Sequence, residues 1–163
     1  MDGIDEGGAL HLKGPNVMLG YMKEDKPGEL QPTGEWYDTG DIVTLDDDGR
    51  ITITGRLKRF AKIGGEMVSL TVVEEIAAEA SAEHTHAAIA ISDARKGEQI
   101  VLMTEDENLT PKQLIDAGKT QQAPELYIPR KVHYVESIPR LGNGKINYMQ
   151  AKKVVEQEMA VAT

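Results

Sequence analysis

The chain has 163 residues, enough for one ordinary domain or for a small domain plus part of another. Its hydrophobic content of 40% is typical of globular proteins, and no apolar run approaches the ~20 residues that span a bilayer. The absence of cysteine excludes disulfides, thiolate zinc sites and cysteine nucleophiles. The net charge of −9 argues against general binding of nucleic acids.

The negative charge is concentrated in the first third of the chain. Residues 1–55 hold 12 acidic and 4 basic side chains, a balance of −8, whereas residues 56–163 hold 15 and 14, a balance of −1. A shift of this size predicts a domain boundary near residue 55. No charged segment followed by an apolar run opens the chain, so we expect no signal peptide.

Strands and turns are predicted for the first third. GALHLK, residues 8–13, indicates a strand, and residues 24–40 are predicted to form a loop because they are rich in Gly, Pro, Glu and Asp. DIVTL and RITIT alternate with period two across DDDG, which predicts a hairpin with Gly49 at positive φ. These strands offer few core residues, so we expect the tail of a larger β-rich body.

Strands and helices are mixed in the remainder. Four cations between Arg56 and Lys62 precede the glycine pair Gly64 and Gly65. Thr71 and Glu74 have the spacing of a capping box, which predicts the start of a helix. Further elements are predicted as strands at 86–93, 98–105 and 131–137, a helix opening at Thr110-Pro111 and running to about Ala117, and a terminal helix over about 148–159. This order predicts an α+β domain.

Three short motifs favour structural over chemical roles. GNGK lacks the spacing of a phosphate-binding P-loop, since Ile146 follows Lys145. His84 and His86 would face one side of a strand, as metal ligands can, but no third ligand is nearby, so we interpret them as ordinary strand-edge residues. The acidic run 46–48 is interpreted as solvating a turn, because the other ligands of a calcium loop are missing. The turn before Lys145 and the basic stretch 56–62 each allow a solvated surface or a functional site.

Five segments, taken in order, resemble the motifs of the adenylate-forming enzymes, the family of acyl-CoA synthetases, peptide-synthetase adenylation domains and luciferases. They are GPNVMLGY, WYDTGD, GRLKRFAKIGGEMVS, LYIP and IPRLGNGKI. The similarity is closer to the synthetase half of bifunctional acyl-[acyl-carrier-protein] synthetase/2-acylglycerophosphoethanolamine acyltransferases. The resemblance implies the tail of a large adenylation domain over 1–56 and a small mobile C-terminal domain over 57–163. The small domain is expected to contain a three-stranded sheet flanked by helices, plus a hairpin.

The resemblance also implies which residues bind the adenylate and which residue forms the hinge. Asp41 is expected to accept hydrogen bonds from the ribose hydroxyls of the adenylate, because a carboxylate offers several acceptor sites. Arg56 supports the same ribose, and Lys58 is the hinge between the domains.

Two alternating faces of the small domain are implied for catalysis. Lys145 reaches the large domain and stabilises charge on the acyl carboxylate and α-phosphate while the adenylate forms. After the small domain rotates, Gly64 and Gly65 let a phosphopantetheine arm pass close to the backbone. Lys62 is the candidate catalytic residue of this second step.

Several features depart from the family pattern. Leu141 stands where the family usually has Thr or Ser, and Tyr148 stands where it often has Arg. The Ser/Thr/Gly-rich phosphate loop, the magnesium-binding glutamate motif and the acyltransferase half are all missing. We therefore expect part of a larger enzyme, with Mg²⁺ bound by upstream residues and no adenylate made by this part alone.

The implied reaction is the activation of a fatty acid with ATP, followed by transfer of the acyl group to the phosphopantetheine thiol of acyl carrier protein. The expected setting is fatty acid and phospholipid metabolism on the cytoplasmic side of an inner membrane, with this part of the enzyme soluble. Two alternatives stay open: an acyl-CoA synthetase with CoA as acceptor, and a non-catalytic module that docks an acidic carrier protein. The docking residues would be Arg56, Arg59, Arg130 or Lys131.

Overall fold

The computed structural model describes residues 7–161. The ends of the two predicted domains, residues 1–6 and 162–163, lie outside this part. Contacts divide the chain into two units, the first ending at Lys58 and the second beginning at Arg59. Within the described part, no helix has the length and apolar character needed to cross a membrane.

The first unit is built from strands. They are β1 (Gly8–Leu12), β2 (Gly20–Met22), β3 (Leu30–Pro32), β4 (Tyr37–Leu45) and β5 (Ile51–Arg56). Strand β4 pairs antiparallel with β1 and β5, and β2 pairs with β3 in a separate ribbon. The predicted hairpin is confirmed as β4–β5, with Gly49 at a φ of 79°.

The prediction of a loop over residues 24–40 is wrong in part, because β3 and the start of β4 lie within it. Strand β3 forms only through a partner that is distant in sequence. Gly20 of β2 approaches it so closely that a Cβ atom would lie 2.2 Å from the Gln31 carbonyl oxygen. Local composition carries no signal for a pairing that depends on this approach.

The second unit mixes strands and helices. Its elements are the 3₁₀ helix Leu57–Arg59, which begins in the first unit, β6 (Phe60–Ile63), β7 (Glu66–Ser69), α1 (Leu70–Ala80), β8 (His86–Asp93), β9 (Gly97–Thr104), α2 (Pro111–Thr120), the 3₁₀ helix Glu125–Tyr127, β10 (Lys131–Tyr134) and α3 (Tyr148–Val161). The helices and the strands β8, β9 and β10 are confirmed, although β10 is shorter than predicted and α2 runs three residues further.

Strand β9 is the centre of the second sheet. Strand β8 pairs antiparallel along the whole of β9, from His86 opposite Thr104 to Asp93 opposite Gly97. On the other edge, β10 runs parallel to the second half of β9, and the β6–β7 hairpin joins through Ile63 opposite Gly97. The predicted three-stranded sheet plus hairpin is thus β8–β9–β10 with β6–β7.

Alternating side chains of this sheet bury two faces. Residues 87, 89 and 91 of β8 pack with Ile138, Ala151 and Val155 on the α3 side. Residues of the opposite parity pack against α1, α2 and the β6–β7 hairpin. Because both faces are buried, β8 and β9 contain continuous apolar runs, and this is the reason that they could be predicted from sequence.

The predicted capping box at the start of α1 is wrong. Ser69 is the N-cap, and its hydroxyl accepts a hydrogen bond from the Val72 amide. Glu74 instead accepts a hydrogen bond from the Ala88 amide of β8, at 2.8 Å. Ser69 and Thr71 both carry a hydroxyl group that can cap a helix. Because Glu74 bonds the Ala88 amide of β8, it does not reach back to the helix end, and the capping box with Thr71 does not form. At α2 the predicted cap is confirmed: Thr110 and Gln113 form a reciprocal capping box.

Candidate functional site

A carboxylate and a guanidinium face each other across β4 and β5. Asp41 lies opposite Arg56 in the strand register, and Arg56 Nε is 2.9 Å from Asp41 Oδ1. Asp41 is 13% exposed, whereas Arg56 is 69% exposed. The preceding Gly40 has a φ of 72°, and the Thr39 hydroxyl accepts a hydrogen bond from the Asp41 amide. The structure therefore brings these two predicted ribose-binding residues together at a fixed point of the first unit.

The predicted hinge residue Lys58 is exposed in the 3₁₀ helix Leu57–Arg59. Immediately after it, Arg59 is anchored in the second unit, with Nη2 2.6 Å from Glu74 Oε1 and the guanidinium carbon 3.9 Å from the centroid of the Tyr148 ring. Arg59 is 15% exposed, so of the four candidate docking residues it is not available to contact a carrier protein.

Tyr148 closes this cluster from the start of α3. Its hydroxyl donates to Glu74 Oε2 at 3.3 Å. Burial, followed by the negative charge of Glu74, raises the pKa of Tyr148 to about 12, although Arg59 acts in the opposite direction. Tyr148 therefore stays neutral at physiological pH and bridges Arg59 and Glu74. Tyr148, which departs from the family pattern, thus connects Arg59, the residue after the predicted hinge, to the helix that follows Lys145.

Gly64 and Gly65 form the tight turn of the β6–β7 hairpin. Their φ angles are 62° and 99°, and the Gly64 amide donates to the Lys96 carbonyl at 2.8 Å. No atom of the described chain lies within 4 Å of a Cβ built at either glycine, so the backbone is open to approach from outside. Lys62 is exposed on β6 between buried Ala61 and Ile63, and its amide donates to Glu98 Oε2.

An open cavity of about 420 Å³ adjoins this turn. Ile63, Leu126 and Ile128 contribute apolar lining, and the cations are Lys96, Arg130 and Lys131. Three carboxylates, Asp93, Glu98 and Glu125, also line it. Sequence reasoning did not group these residues, because they come from three separated segments. The cavity therefore combines an apolar lining with charges of both signs.

Lys145 ends a turn that follows β10. The Leu141 amide donates to the Lys145 carbonyl at 2.7 Å, and the Gly144 amide donates back to the Leu141 carbonyl at 2.8 Å. Gly144 has a φ of 83°, and the Asn143 side chain accepts from the Lys145 amide. Lys145 is exposed, so the turn presents a single ammonium group to the outside.

The two turns lie at opposite ends of the β8–β9 pair. The glycine turn is bonded to Lys96, which connects the two strands at one end. The Lys145 turn is bonded through Arg140 to Thr85, which immediately precedes β8 at the other end. Eight residues of strand at ~3.3 Å per residue separate these ends by roughly 25 Å. The structure therefore does not bring Lys145 together with Lys62, Gly64 and Gly65.

Both histidines singled out in the sequence have hydrogen-bonding partners within the second unit. His86 is buried: its Nε2 donates to the Ser81 carbonyl at 2.8 Å, and its Nδ1 accepts from the Thr104 hydroxyl at 2.9 Å. His84 lies before β8, where its Nδ1 is 3.0 Å from the Ser81 hydroxyl. Between residues 7 and 161 no cluster of three or more His, Asp or Glu side chains is arranged to hold a metal ion, so these residues do not fit a magnesium site.

The chain is similar to acid-activating ligases in sequence, although no protein-family model matches it. It is 30% identical over 153 residues to the medium-chain fatty-acid–CoA ligase of Escherichia coli K12, covering 90% of this chain and 27% of that enzyme. It is also 30% identical over 157 residues to the 2,3-dihydroxybenzoate-AMP ligase of Bacillus subtilis 168, covering 94% and 29%. The chain spans 25% to 30% of the length of the curated relatives that it matches.

The fold is shared with a solved enzyme of the same kind. The o-succinylbenzoate CoA synthetase of Bacillus subtilis, solved with its acyl-adenylate intermediate, superimposes with a TM-score of 0.68 at 25% identity, over 91% of this chain and 31% of that one. The predicted α+β fold class is therefore confirmed. In sequence and in fold, this chain is similar to the C-terminal region of adenylate-forming acid ligases.

Proposed function

We propose that this chain is part of an enzyme that activates a fatty acid with ATP and transfers the acyl group to a phosphopantetheine thiol. In the first step, a carboxylate oxygen attacks the α-phosphorus of ATP, an O–P bond forms, and pyrophosphate leaves. In the second step, the thiol sulfur attacks the acyl carbon of acyl-AMP, the thioester forms, AMP leaves, and the thiol proton passes to solvent. The fatty-acid class is supported by the fatty-acid–CoA ligase among the relatives.

The placement of the two turns at opposite ends of β8–β9 is the observation that carries this proposal. A lysine for the first step and a glycine turn for the second step cannot occupy one active site together across roughly 25 Å. A rigid sheet that presents first the Lys145 turn and then the glycine turn to one active site therefore suits a two-step reaction. Lys58 would be the hinge between these two orientations.

Electrostatics supports the role of Lys145. The adenylation step concentrates negative charge on the carboxylate and the α-phosphate, and a compact ammonium with three donors stabilises it best where water is excluded. The exposed turn holds this group away from the sheet. The contact with Arg56 orients the Asp41 carboxylate, which supports its proposed role as acceptor of hydrogen bonds from the adenylate ribose.

The glycine turn and its neighbouring cavity support the choice of thiol acceptor. A phosphopantetheine group joins an uncharged arm of methylene, methyl and amide groups to a phosphate. The cavity offers apolar lining for the arm and the cations Lys96, Arg130 and Lys131 for the phosphate, alongside three carboxylates. Acyl carrier protein is the acceptor that follows from the closer sequence resemblance. CoA is the second candidate, because CoA ligases stand among the relatives.

The test measures the two half-reactions separately in the full-length enzyme. Lys145→Ala is expected to lower the rate of acyl-AMP formation by about 100-fold or more, since charge stabilisation of this kind contributes 10²–10³ in other enzymes. Thioester formation from supplied acyl-AMP is expected to change less than about twofold. Equal loss of both half-reactions would contradict the assignment of Lys145.

The glycine turn is tested with a substitution that its backbone tolerates. Asn accepts a φ near 60°, so Gly64→Asn keeps the turn and adds a side chain to its open surface. We expect adenylation to be retained and thioester transfer to fall. Gly49→Asn, in the β4–β5 turn, is the matched control and should change neither. Unchanged transfer in Gly64→Asn would remove this turn from the acceptor path.

Acceptor identity is decided by supplying acyl-AMP with either CoA or holo acyl carrier protein. If thioester forms at least tenfold faster with the carrier protein than with CoA, the carrier protein is the acceptor. The reverse preference assigns an acyl-CoA synthetase.

The isolated chain is expected to form no acyl-AMP. NMR titration of the chain with apo carrier protein at two salt concentrations tests the docking module, which requires salt-sensitive shifts around Arg56, Arg130 and Lys131.

A further inference from the structure

We propose that Arg140 is a positioning residue that holds the Lys145 turn in the geometry used for adenylation. This inference rests on the proposed function of Lys145 and adds a residue to which the sequence motifs assign no role. A turn that is exposed throughout, as residues 141–145 are, has no packing of its own to fix where its lysine points.

One guanidinium connects the turn to the sheet. Arg140 Nη1 donates to the Gly144 carbonyl at 3.3 Å, one peptide before Lys145. Arg140 Nη2 donates to the Thr85 hydroxyl at 2.8 Å and lies 3.7 Å from Glu105 Oε1. The backbone of Arg140 also pairs with Ile146, on the other side of the lysine. Arg140 therefore contacts the chain on both sides of Lys145.

The base of this contact is rigid. Glu105 Oε1 accepts a hydrogen bond from the Ile138 amide at 2.8 Å, and Ile138 is a core residue that is 1% exposed. The Glu105 amide donates to the Thr85 carbonyl at 3.1 Å. Burial acts to raise the pKa of Glu105, but hydrogen bonds from Ile138 and Thr85 and the charge of Arg140 outweigh it and hold the pKa below its ordinary value. Glu105 is therefore ionised at neutral pH.

Arginine suits this position better than lysine. Its planar fork carries several donors in fixed directions, so one side chain can reach a carbonyl, a hydroxyl and a carboxylate together. A lysine would place one flexible charge there and satisfy fewer of these acceptors. The expected consequence is loss of precision at Lys145 rather than loss of the fold.

The activity test uses the full-length enzyme. For Arg140→Ala we expect kcat for acyl-AMP formation to fall about 10- to 100-fold, because a misplacement of about 1 Å has an effect of that size. The KM values for ATP and fatty acid should stay within about twofold, as should thioester formation from supplied acyl-AMP. Arg140→Lys should restore part of the rate, and Glu105→Gln should cause a smaller loss. Arg50→Ala removes an exposed arginine that pairs with Asp46 and Asp48, and is the matched control.

A second readout does not depend on activity. In ¹⁵N relaxation experiments on the 163-residue chain, Arg140→Ala should lower the heteronuclear NOE of Asn143, Gly144 and Lys145, whereas Arg50→Ala should not. An unchanged NOE, or equal loss of both half-reactions, overturns the positioning role. If Lys145→Ala leaves adenylation intact, the proposed function fails, and the NOE still decides whether Arg140 orders the turn.

Discussion

At the scale of single residues, a polar network closes the end of α1. Asp106 accepts hydrogen bonds from the Ser81 hydroxyl at 2.6 Å and from the Asn108 amide at 2.8 Å. These bonds, led by that from Ser81, lower the pKa of Asp106 below its ordinary value of 3.8. His84 and His86 lie beside it and add to the same effect. The histidine pair, which was interpreted from sequence as two ordinary strand-edge residues, thus takes part in helix termination through Ser81.

This network predicts acid sensitivity with a defined sign. Because the folded pKa of Asp106 lies below the unfolded value, its contribution to stability is complete above pH 3.8 and is lost as the pH falls through the folded pKa. Ser81→Ala should lower the free energy of unfolding at pH 7 by about 1–3 kcal/mol, since it removes a hydrogen bond to a charged group. Urea denaturation at pH 7 and in steps below pH 4 measures both effects. The difference between wild type and variant should shrink at the acid end, and a constant difference would contradict the mechanism.

Residue-level prediction from sequence had a clear limit. Asp41, Arg56 and Lys145 stand in short motifs and could be proposed from them. Arg140 received no role, and Glu74 was assigned to a capping box that does not form, because each acts through partners that are distant along the chain. Arg59 was placed in a docking patch by its charge, whereas its contact with Glu74 and Tyr148 largely buries it.

At the scale of elements, the apolar pattern of the chain predicted β8 and β9 almost to the residue, because both contain continuous apolar runs. It failed where a boundary depends on tertiary contact. The β2–β3 ribbon requires the close approach of Gly20 to Gln31. The start of α1 requires that Glu74 turn toward β8 rather than toward its own helix end.

Two substitutions test the corrected start of α1. Ser69→Ala removes the observed N-cap and should destabilise the second unit by about 1 kcal/mol. Thr71→Ala removes the hydroxyl that the sequence pattern favoured and should cost less than about 0.5 kcal/mol, as for a substitution away from a cap. Urea midpoints of the two variants are compared. A larger loss for Thr71→Ala would restore the capping box predicted from sequence.

At the scale of the whole molecule, the two units differ in how much they bury. Among the described residues of the first unit, Ile42 is the single fully buried apolar side chain. Leu19, Leu45 and Ile53 are 79%, 69% and 63% exposed. The second unit holds three clusters of buried apolar residues. The change in charge near residue 55 lies close to the boundary between the two units after Lys58. Charge alone, however, does not indicate how many apolar side chains each unit buries.

Hydrogen exchange should separate the units. Burial of apolar surface contributes about 25 cal/mol per Å², so the first unit has little to oppose local opening. Amides of β4 and β5 should exchange at least about 100-fold faster than those of β8 and β9 in the isolated chain. Mass spectrometry of exchanged peptides gives both rates in one experiment. Equal protection would mean that the two units open as one.

The short stretch between Arg56 and Arg59 has a consequence for the hinge proposed at Lys58. Arg56 is bonded to Asp41 and Arg59 to Glu74, so Leu57 and Lys58 alone lie between two anchored residues. Two residues provide about four soft backbone torsions. Reorientation at the proposed hinge would then be a search over a few coupled angles rather than over the states of a flexible linker. The conformational entropy lost on reaching either working orientation is correspondingly small, at about 1–2 kcal/mol for each residue that becomes fixed.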